Sequence, residues 1–444
     1  MKKKIAIFIG HILTSNLEIF LKEDYEIGFF IDSQNPQQSS DFQKNILPHL
    51  SFVYPINFSS FKSIQKSLAG FHLHKDTILV GTRDNYFLAQ AKIAEILGLK
   101  QSNLMPVETA RNITNKFFQR QLFIQNYPEI TVPFKKIRTF HGAYTFSRRY
   151  GFPIIVKPAN LSQGKLVHIC NNLEELIKNV SYVLDKVTEV YEKQNVRRKP
   201  QVIIEKFIDG QQYSVDSYID VKGNITHTPV CKQVISHDLG FDDFQTYYSG
   251  YPSHLSPKKE QEVLDTVSKA IKSLKVVGTV THVEVKVTSK NIPKIIEVNI
   301  RPGGYRASML LESYDTNHIL NVVNTYTNKP VLVKDKFLKH SACPQFWAEK
   351  EGELIKIQGL DGEIQKLPSY IRHGRLVSDG EIVGPVTKGH KKTCFAILAH
   401  ENEDQLKKDL IKIRKIIDIQ VRYKLILWVN LRDPVGLYAS YRTL

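Results

Sequence analysis

Two alternating segments near residue 290 constrain the fold of this chain more than any other feature. THVEVKVT (281–288) and KIIEVNI (294–300) each carry apolar residues at every second position, and only the loop SKNIP separates them. The period of two and the short connection predict an antiparallel β-hairpin. If this hairpin turns at Lys290-Asn291, Glu284 lies opposite Glu297.

One face of the predicted hairpin carries ligand-type oxygens. Successive side chains of a strand point to opposite faces, so Glu284, Glu297 and Asn299 share one face. The other face is apolar and is predicted to consist of Val283, Val285, Val287, Ile296 and Val298. Two facing carboxylates repel each other, so loss of one is expected to raise the melting temperature of the metal-free protein. A bound Mg²⁺ that holds phosphate oxygens would reverse the repulsion; a solvated polar face is the alternative interpretation.

Three further features suit the binding of phosphate groups. Arg301 directly follows the hairpin and precedes Pro302-Gly303-Gly304, so it could stabilise charge on a transferring phosphoryl group. Lys157 ends the apolar strand 149–159, and Lys116 begins a helix. The loop 160–164 could direct backbone N–H groups at phosphates. Taken alone, either lysine is more often a surface residue, and Arg301-Pro302-Gly303-Gly304 could simply be a turn.

The first part of the chain alternates strands and helices. Strands are predicted at 4–10, 26–32 and 77–84, followed by a helix at 87–97. This order is typical of a parallel α/β sheet. Gly10 and the residues after it do not form a G-x-G-x-x-G fingerprint, so we do not infer dinucleotide binding.

Composition excludes several classes of protein. The 444 residues suggest two to four domains, and the net charge of +17 is spread along the chain without a nucleic-acid-binding motif. The four cysteines are far apart and have no metal-site spacing, which favours a reduced, cytoplasmic protein. Because no apolar run approaches about 20 residues, we expect no membrane span. The N-terminal IAIFIG is interpreted as a buried strand rather than a signal peptide.

Taken in order, these segments resemble the ATP-grasp superfamily. The resemblance is carried by TNKFFQR, IIVKPA, VIIEKFIDG, VTHVEVKVT and IIEVNIRPGG, in series along the chain. It implies a Rossmann-like parallel α/β domain, then an ATP-grasp fold, then a small C-terminal α+β domain. The implied boundaries are 1–110 for the N-terminal domain, 111–200 and 201–330 for the two ATP-grasp subdomains, 331–421 for the C-terminal domain, and 422–444 for a tail without an assigned role.

The resemblance also implies a role for each position that matches a motif. ATP phosphates would be contacted by Lys116, Lys157, Ser162 and Gly164. Adenine would be recognised by the hinge residues Glu205, Lys206, Phe207 and Ile208. Gln212 stands where many relatives have an acid that binds ribose. Mg²⁺, or Mn²⁺ in its place, would be held by Glu284, Glu297 and Asn299, and Arg301 would stabilise the transition state.

Carboxylate–amine ligases that join amino acids are the most similar subgroup, through FDDFQTYYSGYPSHLSP (241–257) and GRLVSDGEIVGP (374–385). The expected function is amide formation through an acyl phosphate, with small-molecule carboxylate and amine substrates and no nucleic-acid or membrane partner. A homodimer is compatible with this function. The alternatives are a carboxylase, a purine-pathway ligase or a non-catalytic nucleotide-binding protein. The general base is left unassigned, with His237, His254 and His282 as candidates by location.

Overall fold

The computed structural model describes residues 4–36, 42–99, 105–161, 164–193, 196, 198–239, 246–386 and 390–422. Ser162 and almost all of the predicted tail, 423–444, lie outside the described residues. None of the helices in these ranges combines the length and the apolar character needed to cross a bilayer.

The N-terminal region forms a four-stranded sheet in which every neighbouring pair is parallel, in the order β3-β2-β1-β4. The apolar β1 is buried on both faces, which explains its nearly continuous apolar sequence. The predicted parallel α/β region is therefore confirmed. Its elements are β1 (Lys4–Ile9), α1 (Thr14–Lys22), β2 (Tyr25–Asp32), β3 (Phe52–Ile56), α2 (Phe61–Ser67), β4 (Ile78–Gly81), α3 (Asp84–Ile96), α4 (Val107–Ile113) and α5 (Lys116–Asn126).

The next region is a four-stranded antiparallel sheet with the order β5-β8-β6-β7. The long helix of this region buries Leu176, Val180 and Val183 at helical spacing against the sheet. Its elements are β5 (Phe134–Ile137), α6 (Phe140–Tyr150), β6 (Ile154–Pro158), β7 (His168–Cys170), α7 (Leu173–Lys193) and β8 (Val202–Lys206).

The third region supplies most of a nine-stranded sheet. A helix begins after Ser256, whose side chain accepts a hydrogen bond from Lys259 N, and Pro257 occupies its first position. The elements are β9 (Gln211–Ile219), β10 (Ile225–His227), β11 (Cys231–Ile235), β12 (Thr246–Tyr251), α8 (Pro257–Ser273), β13 (Thr279–Val287), β14 (Pro293–Asn299), α9 (Arg306–Tyr314) and α10 (His318–Tyr326).

The C-terminal region extends that same sheet. Its order is β14-β13-β9-β11-β12-β15-β19-β17, with β10 paired to β9, so β12 and β15 join the two regions directly. A separate three-stranded sheet has the order β18-β16-β20. The elements are β15 (His340–Phe346), β16 (Gly352–Gln358), β17 (Tyr370–Arg375), β18 (Ile382–Val383), β19 (Cys394–His400), α11 (Glu403–Ile416) and β20 (Asp418–Arg422).

The hairpin β13–β14 has the predicted register at its carboxylates but not along its whole length. Glu284 pairs with Glu297 and His282 with Asn299, and then a bulge shifts the register so that Val285 pairs with Ile295. The prediction that Ile296 belongs to the apolar face is therefore wrong. Ile295 is fully buried in the core beside Val283 and Val298, whereas Ile296 is half-buried and lines a cleft.

Candidate functional site

A cleft of about 960 Å³ lies between the four-stranded antiparallel sheet, β5-β8-β6-β7, and the nine-stranded sheet. Strands β6 and β8 contribute Lys157 and Glu205 from one side, and β13 and β14 contribute Glu284 and Glu297 from the other. Residues from the N-terminal and C-terminal regions complete the walls. The cleft therefore collects residues that are far apart in the sequence.

Two of the predicted metal ligands, Glu284 and Glu297, line this cleft, and the third, Asn299, contacts Glu297. Glu284 and Glu297 face each other across the hairpin. Asn299 Nδ2 donates to Glu297 Oε1 at 2.9 Å, and Gln212 Nε2 donates to Glu284 Oε2 at 3.1 Å. Two carboxylates with an adjacent amide oxygen are a donor set that suits Mg²⁺. Gln212 also donates to Gln233, so its amide nitrogen is directed at groups of the protein.

Lys116 is paired with one of these carboxylates. Its Nζ lies 2.6 Å from Glu297 Oε2 and donates to the carbonyl oxygen of Leu161 at 2.8 Å. Burial by itself would raise the pKa of Glu297, but Lys116 and Asn299 outweigh it and the pKa falls to about 2. Glu297 is therefore a carboxylate at neutral pH, as a metal ligand must be.

Lys157 belongs to a buried group of ions with Glu205 and Arg120. Its Nζ contacts Glu205 Oε1, and Arg120 Nε lies 3.1 Å from Glu205 Oε2. Burial raises the pKa of Glu205, but the two cations reverse this effect and hold the pKa below its ordinary value. Because the Glu205 side chain is engaged with these cations, only its backbone is available to the adenine assigned to this hinge.

The remaining hinge residues are placed in two different ways. Phe207 and Ile208 line the cleft, as adenine contacts require. The Lys206 side chain instead donates to the carbonyl oxygens of Gly151 and Phe152, at 3.3 and 3.0 Å. Its predicted contribution to nucleotide binding is thus restricted to its backbone. Gly164 lines the cleft with a φ of +66°, in the left-handed region that favours glycine.

Arg301 lines the cleft, and the loop that follows it is held by a buried carboxylate, Asp216. Gly303 N donates to Asp216 Oδ2 at 2.7 Å, and His282 Nδ1 lies 2.6 Å from Asp216 Oδ1. His318 Nε2 lies 3.1 Å from the same carboxylate. Burial raises the pKa of Asp216, but His282 and His318 reverse this effect and lower it strongly. The buried carboxylate therefore fixes the backbone just after Arg301.

His282 is a poor candidate for the general base. Burial alone would lower its pKa, but Asp216, assisted by Glu284, raises it above the ordinary value and favours the cation. His254 is not among the residues that line the cleft, and His237 is partly exposed beside Asp238. The positions of the three histidines therefore do not support any of them as the general base.

Several cations of the cleft were missed in the sequence, among them Arg306 and Lys165. Arg306 begins α9, is buried, and donates to Ser214 Oγ at 2.6 Å. Lys165, directly after Gly164, is only 5% exposed. Burial, reinforced by Lys391, lowers the pKa of Lys165 to about 8. A lysine next to the predicted phosphate loop was a usable signal for this residue, whereas Arg306 had none beyond its proximity to Arg301.

The geometry agrees with the family comparison. The family model of the ATP-grasp domain matches residues 150–309, which include β6, β8, β13, β14 and the start of α9. Residues 150–309 therefore match an ATP-grasp domain. Its arrangement of a parallel N-terminal sheet, two further sheets around a cleft, and a C-terminal extension is the predicted fold class, which is confirmed.

Individual relatives share low sequence identity with this chain. Alanine–anticapsin ligase of Bacillus subtilis is 23% identical over 236 residues, which cover 51% of this chain and 48% of that protein. The chain spans about half the length of the first curated relatives that it matches. An L-amino acid ligase from Bacillus licheniformis has a TM-score of 0.79 at 20% identity, covering 95% of this chain and all of that one.

A second solved structure extends the comparison. The biotin carboxylase domain of Hydrogenobacter thermophilus 2-oxoglutarate carboxylase, in complex with MgADP, ADP and bicarbonate, has a TM-score of 0.66 at 14% identity. The match covers 94% of this chain and 90% of that one. At such identities these likenesses establish the fold.

Proposed function

We propose that this protein is an ATP- and Mg²⁺-dependent ligase that activates a carboxylate as an acyl phosphate and joins it to an amine. Amino acids are the proposed substrates. The observation that carries this proposal is the facing pair Glu284 and Glu297, which lies on the same cleft as Lys116, Lys157 and Arg301. A solvated strand face would leave both carboxylates exposed, whereas Glu297 is buried and paired with Lys116.

In the proposed complex Glu284, Glu297 and Asn299 hold the metal. When bound, the ion would supply positive charge to the phosphate oxygens of ATP. Lys116 and Lys157 contact the phosphates, and Phe207 and Ile208 flank the base. Lys165 lies in the same cleft and adds a further positive charge.

The proposed chemistry has two steps. An oxygen of the substrate carboxylate attacks the γ-phosphorus, the bond from that phosphorus to the β–γ bridging oxygen breaks, and ADP leaves. The neutral amine then attacks the acyl carbon, phosphate leaves, and the amine loses a proton to give the amide. Arg301 would stabilise the negative charge that develops on the transferring group. Arg306, a buried cation on the same wall of the cleft, is suited to the substrate carboxylate.

The comparisons support the ligase more than the carboxylase alternative. The Bacillus subtilis relative is an alanine–anticapsin ligase, and the neighbour with the TM-score of 0.79 is an L-amino acid ligase. The carboxylase neighbour has a TM-score of 0.66. Amide formation between two organic substrates is therefore the function to test first.

The test is a phosphate-release screen over amino acids and small carboxylates, presented singly and in pairs with ATP and Mg²⁺. We expect ADP and phosphate to appear only when a carboxylate and an amine are both present, with the amide detected by mass spectrometry. Glu297→Gln serves as the inactive control. Turnover that requires bicarbonate would instead identify a carboxylase, and tight ATP binding without turnover on any pair would identify a nucleotide-binding protein.

A further inference from the structure

A cluster of metal-ligand side chains lies apart from the residues that line the cleft. His254 follows β12, His340 is the first residue of β15, and Glu403 is the first residue of α11. One potential ligand atom from each of the three lies within 4.8 Å of the others. Two imidazole nitrogens and one carboxylate oxygen form a donor set that zinc and its neighbours in the first transition row prefer over Mg²⁺.

The three side chains lie close together. The His254 and His340 rings are nearly parallel, at 19°, with centroids 6.2 Å apart. His254 Nε2 lies 3.5 Å from Glu403 Oε1. The edge-to-face contact of Phe337 with His340, at 5.0 Å, supports that ring from another side. The His254 side chain is 45% exposed, so an ion and a completing water can reach the cluster from solvent.

We propose that His254, His340 and Glu403 bind one divalent transition-metal ion, for which Zn²⁺ is the best match. Three protein ligands leave a fourth tetrahedral position to water. The ion would connect the segment between β12 and α8 to two elements of the C-terminal region, β15 and α11. It would thereby fasten the two parts of the chain at a second point, beyond the β12–β15 pairing.

Two positive charges near the cluster oppose the binding of a metal cation, and the effect of each is small. Lys407 Nζ lies 2.8 Å from Glu403 Oε1, but the lysine side chain is 60% exposed, and such surface ion pairs contribute little to stability. The N-terminal end of α11 carries partial positive charge, which Glu403 and Asp404 in its first turn offset. A zinc ion bound by two imidazoles can displace the ammonium from its surface pair.

The backbone conformation decides which variants are informative. His254 has a φ of +61°, a left-handed conformation that asparagine also tolerates well. His254→Asn therefore removes the imidazole and preserves the local fold. His340→Gln tests the second ligand at a strand position. His74→Asn is the matched control, since His74 is an exposed imidazole that lies 3.4 Å from a single carboxylate, Asp76.

The experiment is equilibrium dialysis of the full chain against Zn²⁺, with metal analysis, in excess Mg²⁺ that occupies the carboxylates of the cleft. We expect one zinc per chain, with the affinity lowered at least roughly tenfold in His254→Asn and in His340→Gln and unchanged in His74→Asn. Zinc should also raise the melting temperature of the wild type more than that of either ligand variant. Substoichiometric zinc, or equal affinity in the wild type and both ligand variants, would overturn the proposal. Because the readouts do not involve ATP turnover, the outcome is independent of the proposed ligase activity.

Discussion

The ammonium nitrogen of Lys116 lies 2.6 Å from Glu297 Oε2, so a residue assigned to phosphate is paired with a residue assigned to the metal. Nucleotide and metal would therefore separate or rearrange this ion pair when they bind. The pairing also changes what the two facing glutamates do in the metal-free protein. The charged form of Glu297 is stabilised by Lys116 and by Asn299. This stabilisation outweighs the repulsion between Glu297 and Glu284.

Removal of the Glu297 charge should lower the stability of the metal-free protein, contrary to the increase expected from the sequence. Because its folded pKa of about 2 lies below the ordinary 4.5, this carboxylate stabilises the fold fully above the ordinary value. That contribution disappears as the pH falls toward 2. The deficit in free energy of unfolding of Glu297→Gln, measured by urea denaturation, should therefore be larger at pH 7 than at about pH 3.5. A deficit that does not change with pH would contradict the assigned pairing.

Arg301 should contribute to the rate rather than to ATP affinity. Its charge would meet oxygens that become more negative as the phosphoryl group moves, an interaction stronger in the transition state than in the ground state. Arg301→Met should lower kcat roughly 10²–10³-fold, and Arg301→Lys should recover only part of the loss. Single-turnover ADP formation and an independent ATP titration separate the two effects. Collapsed ATP affinity with a normal saturated rate would make Arg301 a ground-state phosphate contact instead.

The two glycines after Pro302 should differ sharply in how well they tolerate substitution by alanine. A Cβ on Gly303 would lie 2.6 Å from His282 Nδ1 and 2.9 Å from Asp216 Oδ1, whereas a Cβ on Gly304 would meet nothing within 4 Å. Gly303→Ala should therefore displace the Arg301 loop and reduce kcat by at least roughly tenfold, while Gly304→Ala stays near wild type. Steady-state kinetics with matched melting curves would show the difference. Equal activity in both variants would mean that the Asp216 anchor does not position Arg301.

ATP affinity should weaken as the pH rises through about 8, because Lys165 then loses its charge. Lys165→Met should bind ATP more weakly at pH 7 and should lack this part of the pH dependence. Lys391 also lowers the pKa of Lys165, so Lys391→Met should move the midpoint to higher pH. ATP titrations by calorimetry between about pH 7 and 9.5 test all three proteins. Superimposable pH profiles for Lys165→Met and the wild type would exclude Lys165 from phosphate binding.

The hairpin illustrates how far sequence reasoning reaches. Alternation and a short loop suffice to predict that Glu284 faces Glu297, because both are local properties of the backbone. The bulge beside this pair depends on packing against neighbouring elements. It exchanged the expected places of Ile295 and Ile296, which differ in sequence by a single position and in environment completely.

Contacts between residues that are distant in the chain could not be predicted from the sequence. Nothing in the pattern around Asp216 indicates that its carboxylate accepts from Gly303, 87 positions away in the chain. Gln212 was expected at ribose from its place after the hinge glycine, yet its amide nitrogen donates to Glu284 and Gln233. The assigned roles of the cleft residues remain predictions, since placement alone does not test them.

The pairing of β12 with β15 makes the C-terminal region part of the central sheet. A shortened chain that ended near residue 330 would keep every motif predicted to bind the nucleotide but would lose β15, the neighbour of β12. The row of N–H and C=O groups on Thr246–Tyr251 would then face water, as an open template for another strand. Such a fragment is expected to associate edge to edge and aggregate. The region that carries the candidate site is thus expected to need the C-terminal region in order to remain a well-behaved unit.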